Sequence, residues 1–350
     1  MNDDIVTYYP VLIPTLNRYE HFKRCVESLQ NNTHANETEL IIGIDYPPSN
    51  KYYEGWKRII EYSKTINGFK KVTIIKRKKN IGPAKNSESL KRYALKKYDA
   101  YIVTDDDNVF SPNFLDYVDK GLTLYKNDKS ILAICGYMSP IHFENIERDK
   151  TTYVKLQEFH TWGYGRWKDR EEELNSIPYK YMEYICRRRT DLVKLHKYQR
   201  NLYQLIFWPL FFPRLNGKCD FALSCYCKLN NRFTINPVHS LVRNTGSDGS
   251  GVNTPRIMDG RMTQVISDES FFIYKNNLTD LEMKKIMDRV DDWKNHDPME
   301  VPSHLPWRLM TELFYISLMV FGFDITIVIY KLLRKMYRLL LWVFNKSNDY

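Results

Sequence analysis

The segment Ala100-Tyr101-Ile102-Val103-Thr104-Asp105-Asp106-Asp107 decides the fold. Its short apolar run reads as a buried strand. The strand delivers three carboxylates to the point where it ends and a loop begins. Like charges about 4 Å apart repel by about 4 kcal/mol at an effective dielectric of ~20. Such a cluster needs either solvent or a cation. Hard oxygen ligands at a strand end suit Mg2+ or Mn2+, ions that bind phosphates. Taken alone, the triplet reads equally well as a solvated acidic turn.

Upstream of the triplet, strand-like and helix-like segments alternate. Val11-Leu12-Ile13 ends at Pro14, and Phe22, Cys25, Val26 and Leu29 follow at helical spacing. Leu40-Ile41-Ile42-Gly43-Ile44 is a second strand ending at Asp45, followed by a helix marked by Trp56, Ile59, Ile60 and Ser63. Val72-Thr73-Ile74-Ile75 is a third strand. Asn80-Ile81-Gly82-Pro83 then opens a helix carrying Leu90, Tyr93, Ala94 and Lys97. Past the triplet, Ser111-Pro112 reads as an N-cap with proline at the first helical position. A fifth strand follows at Ile131-Leu132-Ala133-Ile134-Cys135. This order predicts an α/β fold with a mostly parallel central sheet and helices on both faces. Ligands of such sheets bind beyond the carboxyl ends of the strands. Four polar clusters lie there: Pro14 to Arg18, Asp45, Asn80 to Gly82, and Asp105 to Asp107.

In that order and spacing, Pro14-Thr15-Leu16-Asn17-Arg18, Gly43-Ile44-Asp45, Asn80-Ile81-Gly82 and Asp105-Asp106-Asp107 resemble the nucleotide-sugar half of a GT-A (Rossmann-like) glycosyltransferase. Trp162-Gly163-Tyr164-Gly165-Arg166-Trp167 and the run from Asn236 to Gly251 extend the likeness to bacterial enzymes that build capsule, O-antigen or related surface glycans. The inverting GlcNAc-transferase of N-glycan processing is more distantly similar. The resemblance covers about residues 5 to 260 and implies a nucleotide-sugar half (1–135) and an acceptor and catalytic half (136–302); residues 303–350 read separately as an amphipathic helical tail.

The resemblance also implies roles. Pro14, Thr15, Asn17 and Arg18 border the nucleotide base, and Asp45 bonds the base or ribose. Asn80, Gly82 and Lys85 lie near the ribose and diphosphate. Asp105 faces the ribose or donor sugar, Asp106 belongs to the same donor-binding set, and Asp107 holds Mn2+ or Mg2+. From the residues themselves, Trp162 and Trp167 read either as core or, because Gly163 and Gly165 flank Tyr164, as part of an exposed, tightly turned loop. The loop reading is favoured and makes Trp162, Gly163, Tyr164 and Trp167 a donor-sugar and acceptor wall. The donor is a nucleoside-diphosphate sugar, a UDP-sugar first of all. The acceptor is a glycan or a polyprenyl-diphosphate-linked molecule. Inverting transfer needs a base for the acceptor hydroxyl. The similar families place it at Asp220, with Asp169, Glu171 and Glu172 as alternatives and an N-cap as the structural reading of Asp220. Related enzymes often end the glycine-rich stretch with histidine, where this chain has Val252-Asn253-Thr254. His239, in the same run, reads as structural.

Composition bounds the rest. The 350 residues are 43% hydrophobic, enough for one large or two fused domains. The acidic start Met1-Asn2-Asp3-Asp4 predicts no secretory leader. The six cysteines contain no Cys-x-x-Cys pair, so reduced thiols in the cytosol are expected. A net charge of +10 calls for an anionic partner. Near the C-terminus an apolar stretch from Leu313 to Ile329 precedes Lys331, Arg334, Lys335 and Arg338 on one helical face. Asp324 within the stretch would cost ~2.5 to 3.5 kcal/mol in a spanning helix. The tail is therefore expected to lie on an anionic membrane surface, at the inner face of the cell membrane. A sugar-phosphate nucleotidyltransferase is the competing enzyme class, but its phosphate loop wants glycine and Pro14 to Arg18 has none. A non-catalytic binder of polyanions or membrane would explain the charge but leave the aspartates without purpose. No nucleic-acid partner is expected.

Overall fold

The computed structural model describes residues 6–141, 151–198, 202–205, 219–251, 261–296 and 305–347. Four parallel strands form half of the central sheet: β1 (Val11–Thr15), β2 (Glu39–Ile44), β3 (Lys71–Lys76) and β4 (Ala100–Val103), in the order β3-β2-β1-β4. The helices between them are α1 (Tyr19–Gln30), α2 (Tyr53–Ser63) and α3 (Pro83–Ala94). The spacing that predicted α1 is its buried face, since Phe22, Cys25, Val26 and Leu29 are fully buried. Proline at the first position of α3 uses a residue whose missing N–H would have no helical partner.

β5 (Asn108–Phe110) follows the triplet, and α4 begins at Phe114 (Phe114–Leu124). The N-cap position of α4 falls on Asn113, which makes no side-chain cap bond, and not on Ser111, whose hydroxyl donates to Asn113 Oδ1 at 2.6 Å. Beyond β4 the sheet changes direction. β6 (Ile131–Cys135), β7 (Tyr153–Leu156), β8 (Tyr164–Trp167) and β9 (Phe233–Pro237) complete eight strands in the order β3-β2-β1-β4-β8-β6-β9-β7. β8 is inserted antiparallel to both β4 and β6. β10 (Val242–Asn244) pairs antiparallel with β5, setting Asn244 opposite Asn108.

The inserted strand is fastened by a buried polar network. Glu171 of α5 (Lys168–Ser176) accepts hydrogen bonds from Tyr101 Oη in β4 at 2.6 Å and from Arg166 Nη1 in β8 at 2.9 Å. Burial alone would raise the Glu171 carboxyl, but Arg166, Lys91 and the two hydrogen bonds outweigh it and hold it at about 2.

The chain divides into two compact units, Met1–Asn175 with Asn231–Lys285, and Ser176–Asn230 with Ile286–Tyr350. The first holds both sheets. The second is helical: α6 (Tyr181–Cys186), α7 (Arg189–His196), α8 (Asp220–Asn230), most of α9 (Asp280–His296) and α10 (Leu305–Ser347). Within it Lys228 of α8 pairs with Asp291 of α9 at 2.9 Å. α10 is interrupted at Gly322, whose φ of 76° and ψ of 175° lie in a region open essentially to glycine alone. No disulfide links the six cysteines.

The Glu171 network generates a pH prediction. A carboxyl held below its ordinary value of 4.5 stabilises the fold above that value and loses the contribution as pH falls toward about 2. Its size is on the order of 3 kcal/mol at neutral pH. The stability advantage of the native chain over Glu171→Gln, read from urea unfolding, should be full above pH ~5 and shrink below 4.5. An equal advantage at pH 3 and pH 7 would mean that ionised Glu171 is not what fastens β8.

Candidate functional site

Asp106 and Asp107 follow β4 and are only 7% and 9% exposed, so the triplet is not a solvated turn. Each oxygen of the pair has a partner. Asp106 Oδ2 accepts from Thr15 Oγ1 at 2.7 Å and Oδ1 from Arg18 Nη2 at 2.5 Å. Asp107 Oδ2 meets the same Nη2 at 2.7 Å, and Oδ1 accepts from Asn244 Nδ2 at 2.8 Å. Burial and the neighbouring Asp107 charge push the Asp106 carboxyl up, against the pull of Arg18. Burial disfavours the Arg18 charge, yet Asp106 and Asp107 together raise its pKa, so the guanidinium stays cationic. Two carboxylates share one positive group, and the cluster keeps a net negative charge.

The same rim continues across β1 to β2. The Asp45 N–H donates to the Thr15 carbonyl at 2.9 Å. The Asp45 carboxylate, itself buried, accepts from the N–H groups of Tyr46 (2.8 Å), Ile81 (3.0 Å) and Gly82 (2.9 Å), and from Asn80 Nδ2 at 3.3 Å. Asp45 therefore shapes the loop ahead of α3 from within. Three hydrogen bonds in series run from Gly82 through Asp45 and Thr15 to Asp106. Pro14 lies within β1, Asn17 in the turn that opens α1, and Lys85 exposed on the first turn of α3. Asp105 is part-exposed beside the buried pair, and its carbonyl accepts from the Cys25 thiol at 3.7 Å.

Residues to which the sequence assigned no role in the site close the cluster. After β10, Thr245 donates both its N–H (2.9 Å) and its hydroxyl (2.8 Å) to the Asp107 carbonyl. A Cβ at Gly246 would stand 2.0 Å from Asp107 Oδ2, so only glycine lets this loop cover the carboxylate. His21 of α1 reaches the same loop, with Nδ1 3.1 Å from Thr245 Oγ1 and Nε2 2.8 Å from Asp248 Oδ2. Slight burial favours the neutral Asp248 acid, but hydrogen bonds from Ser250 and His21 prevail and hold its carboxyl well below the usual range. The sequence carried a signal for His21, which sits four residues before Cys25 and eight before Leu29, on the buried face of α1.

The exposed tryptophan loop requires correction. Tyr164 and Trp167 lie in β8 at the centre of the sheet, and Trp167, 2% exposed, donates Nε1–H to the Leu122 carbonyl at 3.0 Å. Both are core, because β8 fills the gap between β4 and β6. Trp162 stays half-buried before the strand, its ring 4.7 Å from that of Tyr137, and Gly163 turns there at a φ of 71°. Glu171 is locked in its buried network, and Asp169 is paired with Arg170 and Lys129. Asp220 begins α8 in the second unit, its carbonyl accepting from Ser224 Oγ at 2.9 Å. His239 is exposed between β9 and β10. Residues 217–218 and Val252-Asn253-Thr254 lie outside the described residues.

Residues 11–177 match the family model Glycosyl transferase family 2, a span that includes the rim from Pro14 to Asp107 and the Trp162 to Trp167 segment. No curated protein matches the chain. Among solved structures it is similar to a mannosyltransferase from Pyrobaculum calidifontis in complex with GDP-Man and Mn2+ (16% identity, 49% of this chain and 47% of that one, TM-score 0.37). It is also similar to residues 1–349 of TarS from S. aureus (12% identity, 89% and 80%, TM-score 0.39). A third is GalNAc-T7 with UDP, GalNAc and Mn2+ (14% identity, 49% and 37%, TM-score 0.36). The chain spans about half the length of the first of these. The architecture is the GT-A fold: a mostly parallel central sheet with helices, followed by an apolar C-terminal helix.

Asn244→Ala would leave Asp107 Oδ1 and Asn108 Oδ1 without their shared donor. Unfolding in urea should show a loss of about 1 to 3 kcal/mol. A neutral result would mean that Asn244 does not hold the carboxylate in solution.

Proposed function

We propose that this chain is a metal-dependent glycosyltransferase. It moves a sugar from a nucleoside-diphosphate sugar, first of all a UDP-sugar, to a glycan or polyprenyl-diphosphate-linked acceptor, with inversion, in surface-polysaccharide biosynthesis. The observation that carries this reading is the single rim on which Gly82, Asp45, Thr15, Arg18, Asp106 and Asp107 are tied together at the carboxyl ends of parallel strands. The family match over residues 11–177 supports the same reading.

The donor chemistry of the rim fits Mn2+ or Mg2+. Two nearly buried carboxylates with one guanidinium between them present hard oxygens and a residual negative charge. Among the described residues no group of three or more His, Cys, Asp or Glu could hold an ion alone. Asp107 would hold it together with the diphosphate and water, the usual arrangement for Mg2+. When bound, the ion supplies Lewis-acid neutralisation of charge on the departing diphosphate. Arg18 keeps the acidic pair compact and offers its remaining N–H groups to phosphate oxygens. Thr15 fixes Asp106, while Asp45 presents the Asn80 to Gly82 loop to the nucleotide. Trp162 and Gly163 border the sugar and acceptor. Asp220 accepts the proton of the attacking hydroxyl. The enzyme works peripherally at the inner face of the cell membrane, with its basic C-terminal tail on anionic lipid.

Calorimetric titration of UDP with and without Mn2+ tests the proposal. Binding should require the ion, and Asp107→Ala should weaken it at least roughly tenfold. Asp220→Asn should leave that binding intact while turnover with a screened nucleotide sugar falls on the order of a hundredfold or more. Nucleotide uptake indifferent to metal would remove Asp107 from its role, and full activity of Asp220→Asn would place the base elsewhere.

A further inference from the structure

Residues 308–336 form a helical segment long and apolar enough to cross a membrane if straight. It is not straight. The break at Gly322 folds it into a hairpin, and three contacts record the pairing of its arms. Ser317 Oγ and Thr326 Oγ1 are 3.0 Å apart, the Phe314 and Tyr330 rings are 4.6 Å apart, and Tyr330 Oη donates to the Met310 carbonyl at 3.5 Å. In an uninterrupted helix Met310 and Tyr330 would be about 30 Å apart. The arm before the break, residues 305–321, is about 25 Å long, too short for a hydrocarbon core of ~30 Å; the arm after it runs on to Ser347, but its apolar run is broken by Lys331, Arg334 and Lys335 soon after the turn.

The hairpin lies along its own unit with one side. Phe314, Leu318 and Thr326 are buried. Glu312 meets His196 of α7 at 3.0 Å, and Tyr315 stacks on the same ring at 4.2 Å. Asp324, beside the turn, is held by two bonds of 2.7 Å from Arg187 at the end of α6. The other side is apolar and uncovered. Leu309, Leu313, Ile316 and Val320 recur at helical spacing on the first arm, each more than half exposed. Ile325, Val328 and Leu332 do the same on the second. Exposed cations sit at both ends of this strip. Arg308, Lys331 and Lys335 are at the open end, and Arg187 to Arg189 stand by the turn.

We propose, resting on the membrane-surface reading above, that the Gly322 hairpin lies in the plane of an anionic leaflet and does not cross it. Its exposed strip sits at the acyl boundary, and the cations at its ends meet lipid headgroups. Charge complementarity selects lipid over a second copy. A symmetric pairing of two such strips would bring one basic rim against another, and like-charge juxtaposition opposes that.

The full chain, tagged at both ends, is synthesised without cells in the presence of sealed phosphatidylethanolamine/phosphatidylglycerol vesicles. Wild type should float with the vesicles, and both tags should be digested by protease added outside. Val320→Glu with Val328→Glu, both surface positions, should keep the melting temperature and lose flotation roughly tenfold. A protected tag on floating protein would overturn the in-plane hairpin while sparing the membrane reading. Failure of wild type to float would sink both. A dimer that forms without vesicles, and that the double variant dissociates, would assign the strip to a second copy.

Discussion

Two adjacent carboxylates with little access to water need a compensating charge, and one guanidinium placed between them supplies half of it. A buried charge without a partner is strongly destabilising. Asp106 and Asp107 therefore require Thr15 and Arg18 from the end of β1, and Asn244 from β10. Asp107 and Asn244 are 137 residues apart in the chain. Two pairings make these meetings possible: β1 beside β4 in the large sheet, and β5 beside β10 in the small one. The electrostatics of the rim and the topology of the first unit are one constraint seen from two sides.

Along the other direction the rim is built by a carboxylate that binds no solvent-side group of its own. Asp45 gathers three backbone N–H groups and thereby decides the path of the chain into α3. Its function in the proposed chemistry is to present a loop, with the nucleotide reading the loop's outer surface. The second carboxylate network, at Glu171, sits where the sheet reverses and fastens β8 to β4. Both networks place hydrogen-bonded carboxylates at the points where the strand pattern could otherwise slip.

The C-terminal hairpin follows a different logic. Its fold depends on one backbone conformation that glycine alone adopts readily, at a position where a Cβ would meet nothing within 4 Å. Its buried side is matched to α6 and α7, and its outer side is left exposed among the described residues. A surface of that kind is stable in contact with a medium that is itself apolar with an anionic border.

Hydropathy period and strand-end chemistry are local, and what depends on them was legible in the chain alone. The apolar runs before Pro14, Asp45 and Asp105 predicted parallel strands, and the rule that ligands sit past their carboxyl ends pointed to Thr15, Arg18, Asp45, Gly82 and the aspartates. Contacts between distant segments carry no local signature. Hence the helical spacing put His21 on the buried face of α1 and the glycine-rich run was visible as a motif, but only the tertiary structure set His21, Thr245, Gly246 and Asp248 around Asp107, because the β5–β10 register brings that loop over it. Trp167 read as a loop residue from its glycine neighbours, and the insertion of β8 between β4 and β6 made it core. Composition marked the tail as helical and apolar. Whether it runs straight or folds back is set by the dihedral angles of Gly322 and the packing of Phe314 against Tyr330, which no window of hydropathy contains.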